Sequence, residues 1–250
     1  MKKQERADAI LRKLHELYPE TACTLDIDDN VFHLLVRAVL SAQCTDVRVN
    51  QVTAVLFKEY PDYTDFLSAG EAKIGEIIKP CGFWKVKAHY LYEMARMIRD
   101  DFGGEIPRTQ DELQKFPGVG RKVANLIVSE LFGIPAVVVD THCMRVSGRL
   151  GLSSGKNPAV IEKELMKILP EEEWAPFGHR MVDHGRAVCM ARGPKCGECG
   201  LKELCPSAEN AGVNKASGTG TKKTAAGRKK TATGRKKTAT GAKGKKVRNG

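Results

Sequence analysis

Phe116-Pro117-Gly118-Val119-Gly120-Arg121-Lys122 joins two helical patterns, and its reading decides the fold. Upstream, Asp111–Phe116 has helical spacing, and Pro117 stops it. Downstream, Arg121–Phe132 starts a second helix at once. Two glycines in three positions permit a tight turn with the backbone close to a ligand. The unpaired N–H groups of the second helix then point at the turn and make an anion site suited to a phosphate. The same Gly-x-Gly pattern also serves merely to join helices.

Outward from this hairpin the helices continue. Ile10, Leu11, Leu14, Leu17 and Tyr18 fall on one helical face before Pro19. Asn30 is placed to cap a helix carrying Val31, Leu34, Leu35, Ala38 and Val39. Val47–Tyr60 is a helix that Pro61 ends, and short helices are predicted over Tyr63–Ala69 and Ala72–Lys79. Lys85–Phe102 is long and amphipathic, with Leu91, Met94, Ala95 and Ile98 on one face. Thr141–Leu150, Pro158–Leu169 and Ala175–Ala191 complete the set, with Asn157-Pro158 as a cap and first turn. The one strand-like run, Ala136–Val139, is short enough to be an extended connector. The fold class is all-α.

The net charge of +11 suggests an anionic partner, and its distribution is uneven. Thirteen of the 41 Lys and Arg lie in Ala211–Gly250, which has no Asp or Glu. The remaining 28 basic residues face 30 acidic ones, so the rest of the chain is close to neutral. The tail repeats a Lys-Lys-Thr-Ala unit from Lys222, Lys229 and Lys236, with Gly in each copy and no recurring apolar pair. That pattern excludes a coiled coil and predicts disorder. Its charge fits counterion-releasing attraction to nucleic acid, although a solubility tail or a cloning remnant has the same composition. No segment reaches the roughly 20 apolar residues of a membrane span, and the first residues lack the apolar stretch of a secretory signal. A reducing, cytoplasmic setting follows, in which eight cysteines point to metal binding rather than disulfides.

Cys189, Cys196, Cys199 and Cys205 form C-x6-C-x2-C-x5-C in a segment containing Gly and Pro. Four thiolates converging there suit zinc or an iron–sulfur cluster. Cys23, Cys44, Cys81 and Cys143 are scattered and read as small buried hydrophobes. Lys122 falls in the first turn of the helix after the hairpin, where the helix dipole disfavours a cation. It reads either as a phosphate contact or as an amine whose pKa is lowered enough for nucleophilic attack. Asp140 follows Val137-Val138-Val139 and is placed to cap the next helix. A carboxylate there also stays ionised, ready to steady a cationic transition state or accept a proton.

Leu40-Ser41-Ala42-Gln43-Cys44-Thr45-Asp46, the hairpin, Val139-Asp140-Thr141-His142 and the four cysteines together resemble bacterial endonuclease III in order and separation. The similarity runs from about Met1 to about Ser207. It implies a two-domain helix-hairpin-helix glycosylase: residues 24–134 as a six-helix barrel, 1–23 and 135–207 as a discontinuous iron–sulfur domain, and 208–250 as a basic tail. It tips the cysteine set from zinc to a [4Fe-4S] cluster that shapes the DNA-meeting loop Met190–Lys195. Lys122 matches the family's nucleophile and Asp140 its catalytic aspartate. Gln43 matches the residue that fills the space of an extruded base, and Phe83 falls where relatives often carry a Leu wedge. Gly118, Val119, Gly120 and Arg121 of the hairpin, with Arg192 and Lys195, are the expected contacts to the DNA backbone; Gly193 stands where relatives often have a lysine.

The implied activity is removal of oxidised pyrimidines such as thymine glycol from damaged double-stranded DNA, with abasic-site lyase cutting through a lysine Schiff base. A monomer working in the cytoplasm at the nucleoid is the implied state. Three rivals compete. Adenine-mismatch glycosylases lack a lysine like Lys122 and use a carboxylate roughly where Val39 stands. Pyrimidine-dimer glycosylases use the same lysine. A non-catalytic DNA-binding protein would not need Lys122 beside Asp140.

Overall fold

The structure, a computed structural model, describes residues 1–208. The basic repeats, and the expectation of a disordered tail that attracts nucleic acid, lie outside the described residues. Among the described residues the chain forms ten α-helices linked by loops and 3-10 turns, with no strand. They are α1 (Lys3–Leu17), α2 (Val31–Leu40), α3 (Asp46–Glu59), α4 (Tyr63–Ile78) and α5 (Trp84–Asp100), then α6 (Gln110–Leu113), α7 (Arg121–Phe132), α8 (Thr141–Arg149), α9 (Pro158–Met166) and α10 (Trp174–Ala187). The all-α expectation holds.

Local chemistry sets most helix ends. Asn30 Oδ1 accepts from Phe32 N at 2.9 Å, and Asn157 Oδ1 from Ala159 N at 2.9 Å beside Pro158. Gly133 closes α7 in the left-handed region at φ 63°. Gly70, at φ 77° and ψ 163°, breaks α4 into the two helices that the sequence suggested. α6 and α9 end three residues earlier than their patterns predict, and α10 ends at Ala187 rather than Ala191. After α10, the Cys189 carbonyl is taken by Arg145 Nε at 3.0 Å, which draws the chain off the helix axis.

Two hydrophobic cores form. The first gathers Leu34, Leu56, Phe66, Leu91, Phe116 and Ile127 from α2 to α7. The second gathers Ile10 and Leu14 of α1 with Val146, Leu165, Phe177 and Met181 of α8 to α10. Ala136–Val139 is an extended connector between them, and its side chains alternate: Ala136 and Val138 enter the first core, Val137 and Val139 the second. Burying each large apolar side chain contributes roughly 1.5–3 kcal/mol. The connector therefore ties both cores to the residue that follows it, Asp140.

Candidate functional site

Phe116 anchors the hairpin, buried and edge-on to Phe102 with ring centroids 5.3 Å apart. Val119 is also buried and donates its N–H to Phe116 O at 3.1 Å, so its side chain faces the core and its backbone holds the turn. Gly118 has φ 79°, and a Cβ there would lie 2.9 Å from Tyr90 Cδ2 and 3.2 Å from Val39 Cγ1. Only glycine fits both the conformation and the space. Gly120 differs: it is extended and exposed, and nothing lies within 4 Å of an added Cβ. Gly120 has no side chain to cap α7, so the first-turn N–H groups face a surface open to an outside anion. The guanidinium of Arg121, an expected DNA contact, is shared with a carboxylate. Arg121 Nε and Nη2 meet Glu162 Oε2 and Oε1 at 2.6 and 2.9 Å, and Glu162 is buried.

Lys122 and Asp140 line one cavity of about 260 Å³, walled by α7, the start of α8, α10 and the Ala22–Leu25 segment. Asp140 Oδ1 accepts from Cys143 N at 2.7 Å, so Asp140 is the α8 cap as well as a cavity wall. Lys122 is exposed. Its charge reaches the cavity nonetheless, lowering the pKa values of Asp46 and His142.

Three cavity residues escaped the sequence reading. Asp46 Oδ2 accepts from Thr24 Oγ1 at 2.6 Å and from Arg186 Nη2 at 2.8 Å. Burial works against its ionisation, yet these bonds and the nearby cations hold its pKa below the ordinary carboxylate range. His142 is pushed below its ordinary value first by burial, then by Arg145, Arg186 and Lys122, against the pull of Asp140. Helical spacing could have flagged Arg145 and Arg149 on α8, but nothing local pairs Asp46 with Arg186 across 140 residues. Two of the scattered cysteines, Cys23 and Cys44, are half-buried where the first core meets the cavity, while Cys81 and Cys143 are buried as expected. Burial pushes the Cys23 thiol up to about 11, which keeps it protonated and unreactive.

Gln43 and Phe83 are exposed, and they are the two non-glycine residues with positive φ among the described residues, at 54° and 47°. Such backbone is costly for side-chain-bearing residues and concentrates at functional sites. Ser41 and Cys44 on either side of Gln43 line the cavity; Phe83, Arg192 and Lys195 do not. Arg192 and Lys195 are exposed on the loop after α10.

The four spaced cysteines are unpaired and half-buried, Cys189, Cys199 and Cys205 against the second core, and each lies within electrostatic reach of another. Burial first, then the neighbouring thiols, raise the pKa values of Cys199 and Cys205. Among the described residues no three His, Cys, Asp or Glu side chains gather around a point as a single-ion site. Two of the sulfurs have side-chain nitrogens beside them: Arg149 Nη1 lies 3.4 Å from Cys189 Sγ, and His184 Nε2 lies 3.6 Å from Cys199 Sγ. Arg149 also holds the Met190 and Ala191 carbonyls at 2.7 and 3.1 Å. This donor set of four thiols, backed by N–H groups, fits a thiolate-bound cluster.

Residues 36–171 match the model of the HhH-GPD superfamily of base excision DNA repair proteins. The endonuclease III of Synechocystis sp. is 47% identical over 208 residues, 83% of this chain and 94% of that protein. A solved non-covalent endonuclease III–DNA complex superposes with a TM-score of 0.81 at 40% identity, covering 85% of this chain and all of the other. A trapped endonuclease III–DNA covalent intermediate matches with a TM-score of 0.80 at 41% identity, over 84% of this chain and 99% of the other. With its hairpin, its Lys122–Asp140 cavity and its cysteine set in one frame, the chain belongs to the endonuclease III family of DNA glycosylases in base excision repair.

Proposed function

We propose that the protein is a bifunctional enzyme, removing oxidised pyrimidines such as thymine glycol from duplex DNA and then cutting the strand 3′ to the abasic site. The observation that carries this reading is Lys122 and Asp140 lining one cavity beside the uncapped start of α7. The trapped covalent complex of a relative supports a covalent course. The DNA would run between the barrel of residues 24–134 and the second domain of residues 1–23 and 135–207.

In this reading a phosphate docks on the free N–H groups after Gly120, and Arg192 and Lys195 hold the backbone nearby. The damaged base leaves the stack at a cost of a few kcal/mol, and Gln43 and Phe83 fill the gap. DNA closing over the cavity removes water from Lys122 and favours its neutral amine. That amine attacks C1′, and the base departs with the electron pair of the glycosidic bond. Asp140, held in place by the hydrogen bond it accepts from Cys143 N, would steady the developing positive charge and accept the proton that the attacking amine sheds. The sugar ring then opens: the nitrogen lone pair forms the C1′=N Schiff base as the C1′–O4′ bond breaks and O4′ takes up a proton. The Schiff base acidifies the C2′ protons, one is lost, and β-elimination breaks the C3′–O3′ bond and expels the 3′ phosphate.

Cys189, Cys196, Cys199 and Cys205 would hold a [4Fe-4S] cluster. When bound, the cluster cross-links the segment that carries Arg192 and Lys195; Arg145 and Arg149 anchor the same segment to α8, whose first cap is Asp140. Purified protein should be yellow-brown with about four irons per chain, and zinc in its place would overturn the cluster assignment.

The deciding experiment is a panel of duplexes carrying thymine glycol, a pyrimidine dimer, or adenine opposite 8-oxoguanine. It is scored for base release, strand cutting and borohydride trapping. Release and trapping on thymine glycol are expected. Preference for the dimer would move the substrate while keeping the lysine chemistry, and base release without trapping would end the lyase reading.

A further inference from the structure

The buried stripe of α5 runs through Leu91, Met94, Ala95 and Ile98, and Lys87 lies on it with 4% of its surface exposed. A lysine in that position costs solvation unless every proton of its ammonium finds a partner. Here each does. Lys87 Nζ donates to Leu40 O at 2.9 Å, Ala42 O at 2.8 Å and Cys81 O at 2.9 Å. Leu40 is the last residue of α2 and Ala42 lies in the turn that follows, immediately before Gln43. The third belongs to the 3-10 turn Lys79–Cys81, two residues before Phe83. Gln43 and Phe83 are the two described non-glycine residues in the left-handed region, so each needs its backbone held from outside. Turns 40 residues apart in sequence thus meet on one cation.

We propose that Lys87 is a positioning residue for opening the duplex: its ammonium joins the Gln43 turn and the Phe83 turn into one unit, so both side chains enter the DNA together. This rests on the reading of Gln43 and Phe83 as gap-fillers given above. Lys87 touches neither DNA nor the reacting atoms. Its effect should therefore appear in the step that needs both side chains, and nowhere else.

The test separates insertion from chemistry. Insertion is followed by the fluorescence of a 2-aminopurine placed beside thymine glycol in a duplex. Chemistry is followed by strand cutting at an abasic site in single-stranded DNA, where no partner base has to be replaced. Lys87→Met keeps the stem but leaves three carbonyls without a donor. It should slow insertion about tenfold or more while single-strand cutting changes about twofold or less. Lys87→Arg keeps a buried cation whose planar fork does not converge on three carbonyls, and it should show the same split at smaller size. It carries the test if Lys87→Met does not fold. In a Gln43→Ala/Phe83→Ala background the Lys87 substitution should add nothing to the insertion defect. Equal losses on both substrates, losses that add to the double variant, or no loss with either substitution would each overturn the proposal. If the double variant inserts as the parent does, the gap-filler reading fails first. If parent enzyme cuts neither substrate, the lyase reading fails and Lys87 is not to blame.

Discussion

The starts of α7 and α8 are two solutions to one problem. Each helix places a basic residue at its second position, Lys122 in α7 and His142 in α8, and both side chains line the same cavity. α8 satisfies its own N-terminus, because Asp140 Oδ1 takes the Cys143 N–H at 2.7 Å. α7 follows Gly120, which has nothing to offer, and its first-turn N–H groups are left for a ligand. His142 is drawn toward neutrality, whereas Lys122 stands exposed against an unfavourable dipole. The difference teaches that α8 closes its own N-terminus while α7 leaves its N-terminus open, which is where the proposed function docks an anion.

Removing Lys122 should have the largest effect. Lys122→Ala is expected to lower strand cutting on the order of 10⁴-fold or more, as loss of a nucleophile does elsewhere, and to abolish borohydride trapping. Melting should show no loss of stability, and a gain of about 0.3–1 kcal/mol is expected because a cation leaves the positive end of a helix. Trapping that survives the substitution would remove Lys122 from the chemistry.

Asp140 carries two duties, and two substitutions separate them. Asn caps as well as Asp, so Asp140→Asn should cost under about 1 kcal/mol of stability. It should still lower base release by about 10²–10⁴-fold if the carboxylate steadies charge or takes a proton. Asp140→Ala loses the cap too and should cost about 1 kcal/mol more. If Asn and Ala variants lose activity only in proportion to lost stability, Asp140 is a cap and no more.

The sequence discloses this half of the comparison because it is written in local punctuation. Asn30, Gly133, Asp140 and Asn157 each act within five residues of where they stand. Gly118 and Gly120 look alike in sequence, yet packing against Tyr90 and Val39 constrains the first while nothing constrains the second. The partners of Arg121, Asp46 and Lys87 lie 41, 140 and up to 47 residues away, and no periodicity records such pairings. Lys87 even occupies a position where helical spacing calls for an apolar side chain. The pairing of Lys122 with Asp140 was thus legible in the motifs, while the supports around them needed the folded chain.

The two hairpin glycines sharpen the comparison further. Gly118→Ala meets Tyr90 Cδ2 at 2.9 Å with φ at 79°, so it should cost about 1–3 kcal/mol. Gly120→Asp should cost nothing, since the backbone is extended and the space open, and a new cap adds a few tenths of a kcal/mol over glycine. It makes the start of α7 resemble that of α8, and a carboxylate now competes with phosphate for the same N–H groups. Affinity for undamaged duplex should fall several-fold while melting temperature holds. If affinity is unchanged, the first turn of α7 is not a phosphate site.

The smallest effect tests the other helix. The pKa of His142 is depressed in the folded protein, first by burial and then by Arg145, Arg186 and Lys122. The unfolded chain takes up its proton near the ordinary value of about 6.5, and the folded protein does so only at lower pH. Below about 6.5 the unfolded state therefore binds more protons, and stability falls as pH drops toward the folded value. His142→Gln removes this titration, so its urea midpoint should decline less than the parent's between pH 7 and pH 5. Lys122→Ala removes one of the charges that hold His142 neutral, so it should also shrink the decline. A parent and a His142→Gln variant that decline together would place the pH sensitivity elsewhere in the fold, and the neutral His142 at the start of α8 would no longer contrast with Lys122.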